Sequence, residues 1–347
     1  MDPFGNDEVF IKELRNLFGN LWDISELMGI SLREEGNKNI SNLSKKLIFP
    51  LVLHCNLIYL WYSTIRRGLL DYSTILDMII PSLTCVLWWT MYINRKSPRK
   101  LLSQLTNTTL IFSLAANRYL QYVTNAVLCF TFIFPLLLST VKAFIFPTGG
   151  FSGEYKNAMV FLWAIQGIIF PSAVTLMYIT ICILLLQNTR HSKNLFDTNL
   201  DLSLLLTSRR KLCQRYLEVL REVEHFEELF SNPVLIVVLQ YFCTVSIIVM
   251  DMMNIENWLP KLMIEASFYL PFIFIFLGVL SIYAANIPLE MQRIKVVLLD
   301  KAFEETHGVI MLEHGKQVDS LLKRKICVLT AGNVFTFDRG FLFKVPA

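Results

Sequence analysis

Apolar residues along this chain gather into six long runs, 47–65, 74–92, 123–146, 158–186, 233–253 and 262–285. A helix rising 1.5 Å per residue needs about 20 such residues to cross about 30 Å of hydrocarbon, which is the length these runs have. Each run is predicted to be helical, because backbone groups in lipid find partners only within a helix or a closed barrel. Pro81, Pro135, Pro171 and Pro271 fall inside four of the runs. Membrane bundles tolerate such prolines, and kinks are expected at them. The expected fold class is all-α: a polytopic membrane helical bundle with six full spans and the start of a seventh.

Between the runs the pattern changes character. Leu212, Tyr216, Leu220, Val223, Phe226 and Phe230 recur at helical spacing, with Arg215, Glu218, Arg221, Glu222 and Glu224 between them. This predicts an amphipathic helix continuous with, or close to, the fourth span. A weaker pattern runs through Ile294, Val297, Leu298, Leu312, Val318, Leu321 and Leu322. The two patterns suit a helical base packed under the membrane; two helices lying on the lipid surface are the alternative. The expected organisation is therefore an amino-terminal segment 1–46, a bundle 47–286 that includes a helical loop 187–232, a helical anchor 287–328 and a last segment 329–347. No internal repeat marks the chain as a repeat-built transporter.

Composition agrees with a membrane protein: 54% hydrophobic residues, 17% charged residues and a mean hydropathy of +0.48 leave little room for a soluble domain. Charge then sets orientation. With the amino terminus in the cytoplasm, 25 Lys and Arg residues fall in inner segments, and only Arg66, Arg67, Lys142, Lys156 and Lys261 fall outside. That bias predicts a cytoplasmic amino terminus in a plasma-membrane protein. Asn39-Ile40-Ser41 and Asn42-Leu43-Ser44 match glycosylation acceptors and pull the other way, but such short matches weigh little beside the charge count. Asp2, Asp7, Glu8, Glu13 and Glu26 precede any apolar run, so no signal peptide is expected. The net charge of +4 is scattered, which argues against a nucleic-acid partner. Five of the seven cysteines, Cys55, Cys85, Cys129, Cys182 and Cys243, lie inside apolar runs and read as packing residues.

Nothing in the sequence carries the marks of an enzyme: it has no Walker loop, no HExxH, no CxxC and no nucleophile elbow. No cofactor and no metal are expected; Glu304, Glu305, His307, Glu313 and His314 read as a solvated charged loop broken at Gly308. Polar residues inside the spans are more informative, because they cost energy in lipid and face cavities or the bundle interior. His54 and Asn56 sit midway down the first span, while Asp77, Gln166, Asp251 and Glu265 fall in the outer third of theirs. Trp163, Phe268 and Tyr269 lie at that same outer level, with Tyr72, Phe144, Phe146, Phe161 and Trp258. This set suits an outward-opening cup for a small-molecule ligand, with a few polar groups in an apolar wall. An interfacial aromatic belt with water-facing carboxylates is the alternative.

The last segment, Ala331-Gly332-Asn333-Val334-Phe335-Thr336-Phe337-Asp338-Arg339-Gly340-Phe341-Leu342, resembles the approach to the final span of arthropod gustatory receptors. In that family a small residue, an aromatic run and an Asp-Arg pair precede the last helix; Ala331, Gly332, Phe335, Asp338 and Arg339 carry the likeness. The outline agrees over nearly the whole chain. The resemblance implies a ligand-gated, non-selective cation channel of four subunits, homomeric or heteromeric, related to insect odorant receptors. It further implies an outer pocket for a small tastant or odorant and an intracellular anchor between subunits. The family's pore-lining helix, with a Thr-Tyr and a later Gln-Phe, has no counterpart here, so 329–347 is read as the start of a seventh span that the chain does not complete. A heptahelical G-protein-coupled receptor and a secondary transporter are the competing readings. The first would place the amino terminus outside and lacks its Asp-Arg-Tyr and Asn-Pro-x-x-Tyr signatures here; the second would use Asp77 and Glu265 to couple ions.

Overall fold

The computed structural model describes residues 20–28, 30, 40–67, 72–95, 101, 105, 114–145, 160–198, 205–254, 259–304 and 327–337. Its helices are α1 (Asn20–Leu27), α2 (Ile40–Arg67), α3 (Tyr72–Ile93), α4 (Leu114–Ile145), α5 (Phe170–Thr198), α6 (Leu205–Asn254) and α7 (Leu259–Glu304), with a π-helical turn, Ile165–Ile169, leading into α5. Two short strands, β1 (Thr330–Ala331) and β2 (Phe335–Thr336), pair antiparallel. Among the described residues, five helices are long and apolar enough to cross a membrane; Met78–Ile93 in α3 is a shorter apolar helix.

Burial separates the helices into a centre and a periphery. In the apolar window of the π-turn and α5, 94% of residues are inside, against 17% for α2. The sequence explains the difference, since α5 is apolar all the way round: Val174, Leu176, Met177, Tyr178, Ile179, Ile181, Leu184 and Leu185 are all buried. Its hydroxyl residues do not disturb this. Thr175, Thr180, Thr189 and Ser192 donate back to the carbonyls of Pro171, Leu176, Leu185 and Asn188, so each is satisfied within its own helix.

The amphipathic pattern beginning at Leu212 forms the first half of α6, a helix of 50 residues that continues past Pro233 into the fifth apolar run. The connection is thus to the fifth span, not the fourth. What the fourth supplies is a packing partner, as α5 lies alongside. Tyr216, Leu220, Val223, Phe226 and Phe230 are buried, as their spacing requires. Tyr216, Val219 and Leu220 pack on Met291 and Ile294 of α7, with Val297, Leu298 and Cys327 beside them. This second small core is the base, made from the helix ends that extend beyond the apolar runs.

Polar contacts lock the base. Asn188 of α5 donates to the Glu222 carboxylate at 2.6 Å, and Arg215 donates to Asn188 Oδ1 at 2.7 Å and to Glu218 at 3.2 Å. Glu222 lies 11 residues before Pro233, about 16 Å below the fifth apolar run by helical rise. Burial pushes its carboxyl up from 4.5 to about 7, against the pull of Arg215 and Asn188. The folded state therefore holds a proton between these values that the unfolded chain releases, and this group's contribution to stability falls as pH rises through that window. Glu222→Gln is expected to flatten that slope and to gain about 1 kcal/mol at pH 8, read from thermal unfolding of the detergent-solubilised protein at pH 5 to 8. An unchanged slope would remove Glu222 as its source.

The hairpin is docked by hydrogen bonds rather than by its short ladder. The Glu227 carboxylate accepts the Thr330 N–H at 3.0 Å and also the Thr330 hydroxyl. The Gly332 N–H donates to the Ser231 carbonyl at 2.9 Å, and Phe337 is buried beside Tyr178. Gly332 and Asn333 take positive φ, 58° and 57°, which makes the tight reversal between the strands. The apolar-run pattern contains no hint of this element, because eight residues of mixed Thr, Gly and aromatic character have no helical period.

Candidate functional site

The site is built on the π-turn. In an α-helix the carbonyl of Gln166 would accept from Phe170 N–H, but here that N–H donates to Ile165 instead. The next nitrogen is that of Pro171, which carries no hydrogen. The Gln166 carbonyl is thereby left without a donor from its own helix, inside a bundle where an unpaired carbonyl costs several kcal/mol. Two neighbouring helices supply the donors: Thr84 Oγ1 of α3 at 3.0 Å and Gln240 Nε2 of α6 at 2.8 Å. Gln240 also donates to Thr84 at 2.9 Å, which closes a three-helix polar node.

A fourth helix joins through the side chain. Asn56 of α2 donates to Gln166 Oε1 at 2.8 Å, and Asn56, Thr84, Gln166 and Gln240 are all buried. Among the described residues, one atom of each of three amides has no partner: Asn56 Oδ1, Gln166 Nε2 and Gln240 Oε1. Two acceptors and one donor thus stand ready for a further polar group. π-turns are rare and recur at functional sites, which matches this concentration of unused hydrogen-bonding capacity.

Aromatic contacts join the segment of the turn to α7, and α7 to α4. Trp163, one turn before Gln166, meets Tyr269 of α7 edge to face at 6.0 Å between centroids. Phe268 meets Phe134 of α4 at 5.6 Å, and Phe134 in turn stacks on Phe272. Gly167 lies beneath Ile80 and Trp163, where a Cβ would stand at ordinary contact distance, 3.5 Å and 3.8 Å. His54, in the same span as Asn56, does not join. Its ring faces the periphery, where Nδ1 meets the Pro50 carbonyl at 2.6 Å and Nε2 accepts from the Trp89 indole at 3.0 Å.

Of the residues expected to line an outer cup, the structure therefore brings Trp163 and Tyr269 together, places Gln166 at the node and sets Phe268 in the aromatic row. The side chains of Asp77, Asp251 and Glu265, and the motif residues Asp338 and Arg339, lie outside the described residues. Of the other motif residues, Ala331 is buried, Gly332 makes the turn and Phe335 is exposed. Thr84 and Gln240 escaped the sequence reading. An amide in the middle of the fifth apolar run was the available signal for Gln240; Thr84 gave none, because threonine is common in membrane helices.

No family model matches the sequence, and no curated protein is similar to it in sequence. Among solved structures, the fold is similar to that of the insect olfactory receptor OR5 from Machilis hrabei, with a TM-score of 0.66 over 97% of this chain and 95% of that one, at 13% identity. The chain is a multi-pass helical membrane protein with the fold of an insect olfactory receptor.

Proposed function

We propose that the chain is a chemosensory receptor subunit that binds a small tastant or odorant and gates a non-selective cation current as part of a homomeric or heteromeric tetramer. The observation that carries this reading is the likeness of fold to an insect olfactory receptor over nearly the whole of both chains. The charge bias supports a plasma-membrane placement with the amino terminus and the base in the cytoplasm. The aromatic row and the unpartnered amide atoms support a ligand site with an apolar wall and a polar end, the make-up of small-molecule pockets. Asp77, Asp251 and Glu265 remain candidates for its outer rim.

The test joins the final span of such a receptor to the chain, expresses it alone and with partner chemoreceptor subunits, and records ligand-evoked cation current in cells without added G protein. Silence across a broad panel despite delivery to the surface would overturn the proposal. A tag at Met1 that is cut by protease on intact cells would favour the heptahelical G-protein-coupled alternative. For an active ligand with a hydroxyl or carbonyl, Gln166→Leu is expected to raise the half-maximal concentration about tenfold, the worth of one hydrogen bond, with surface delivery retained. An unshifted response would take Gln166 out of the ligand site.

A further inference from the structure

At the junction of the base and the bundle, Arg190 of α5 and Arg293 of α7 converge on one carboxylate. Arg190 Nε lies 3.4 Å and Arg293 Nη1 lies 2.9 Å from the same oxygen, Oε1 of Glu290. The Glu290 side chain is only 8% exposed, whereas those of Arg190 and Arg293 are 57% and 61% exposed. Two cations thus share one anion and keep a net positive charge on the outer surface of the protein. Among the described residues, the two terminal nitrogens of Arg190 and Nη2 of Arg293 have no acceptor and are open to a further one. We propose that this pair is a binding site for the phosphate of an anionic phospholipid headgroup.

Depth favours a lipid as the source of that phosphate. The fourth apolar run ends at 186 and the sixth at 285, so by helical rise Arg190 lies about 6 Å and Arg293 about 12 Å beyond the hydrocarbon. The headgroup layer occupies roughly the first 5–8 Å there. Arg190 stands within it, and Arg293 reaches up to it from below with a long side chain. Guanidinium groups suit the role, because their planar forks hold phosphate oxygens in pairs. The cytoplasmic leaflet, where the charge bias places this end, carries the anionic lipids. Glu290 then acts as a placeholder that keeps both forks in position and competes with the phosphate for them.

The site rests on the membrane placement proposed above but not on ligand-gated current, so lipid retention and current fail separately. The full chain, purified in detergent and mixed with equal amounts of phosphatidylglycerol and phosphatidylcholine, is read by native mass spectrometry for retained lipid. Wild type is expected to retain the anionic lipid at least tenfold over the zwitterionic one, and Arg190→Gln with Arg293→Gln to lose that preference. Glu290→Gln is expected to strengthen retention several-fold; a purely structural staple between α5 and α7 predicts no such gain. Arg190→Lys with Arg293→Lys, which keeps the charge and loses the forks, is expected to fall in between, and it decides the matter if the double glutamine variant fails to fold. Equal retention of both lipids by wild type, a double variant that binds as wild type does, or displacement by equimolar inorganic phosphate would each overturn the proposal.

Discussion

Gly332→Ala is expected to undock the hairpin from α6. Two costs add at this position. The residue holds φ at +58°, where a side-chain-bearing residue loses about 1–2 kcal/mol. The new Cβ would also stand 2.3 Å from Leu235 Cδ2 and 3.1 Å from both Cβ and Cγ of Leu235. Rotation of Leu235 moves only its outer atoms, since its Cβ is fixed to α6, so overpacking of about 1–3 kcal/mol remains. A two-stranded hairpin is marginal by itself. The sum, roughly 2–5 kcal/mol, is comparable with what the bonds to Glu227 and Ser231 together return, at about 1 kcal/mol each with more for the charged carboxylate.

Amide exchange is the direct measurement. The N–H groups of Thr330, residue 332 and Phe337, bonded to Glu227, Ser231 and Leu329 respectively, are expected to lose protection together. Adding Leu235→Ala removes the contacts with Cδ2 and Cγ but leaves the 3.1 Å approach to Cβ and the backbone strain, so the double variant should recover only part of the lost protection. Full protection in Gly332→Ala would show that α6 yields more easily than its packing suggests.

What the sequence discloses here depends on whether a residue's partner is a solvent class or a particular atom. The apolar runs answer to lipid, and Tyr216, Leu220, Val223, Phe226 and Phe230 answer to a core, so periodicity alone locates them. The junction of α6 was harder. Residues 187–232 look like a helical loop after the fourth span, and Ser231-Asn232-Pro233 reads as the cap of a new helix, yet Pro233 is taken into α6 without a break. The node is illegible for another reason: its logic lies in one missing hydrogen, that of Pro171, together with a shift of Phe170 N–H from residue 166 to residue 165. Proline at 171 is visible in the sequence, but the π-turn that makes it matter is not. The hairpin fails both ways, having neither a period nor a long-range partner that its own residues announce.

The node gives the second large effect. Removing Thr84 and Gln240 together, as Thr84→Val with Gln240→Met, is expected to cost about 2–6 kcal/mol, about 1–3 kcal/mol beyond the sum of the two single changes. Both substitutions nearly keep volume, so packing contributes little. Gln240→Met alone leaves Thr84, whose hydroxyl oxygen lies 2.8 Å from the Ile80 carbonyl and 3.0 Å from that of Gln166 and has one proton to give. The proton then turns to Gln166, because Ile80 still has the backbone N–H of its own helix. Thr84→Val alone leaves Gln240 on the same carbonyl at 2.8 Å. Each single loss is thus a net hydrogen bond within a membrane bundle, about 0.6–1.7 kcal/mol. Only the double variant strands the carbonyl, and stranding a buried acceptor costs its full desolvation, a further 1–3 kcal/mol. Thermal unfolding of the wild type, both single variants and the double variant in one detergent measures this coupling directly. If the four values prove additive, Gln166 has found another donor and the π-turn does not depend on its neighbours.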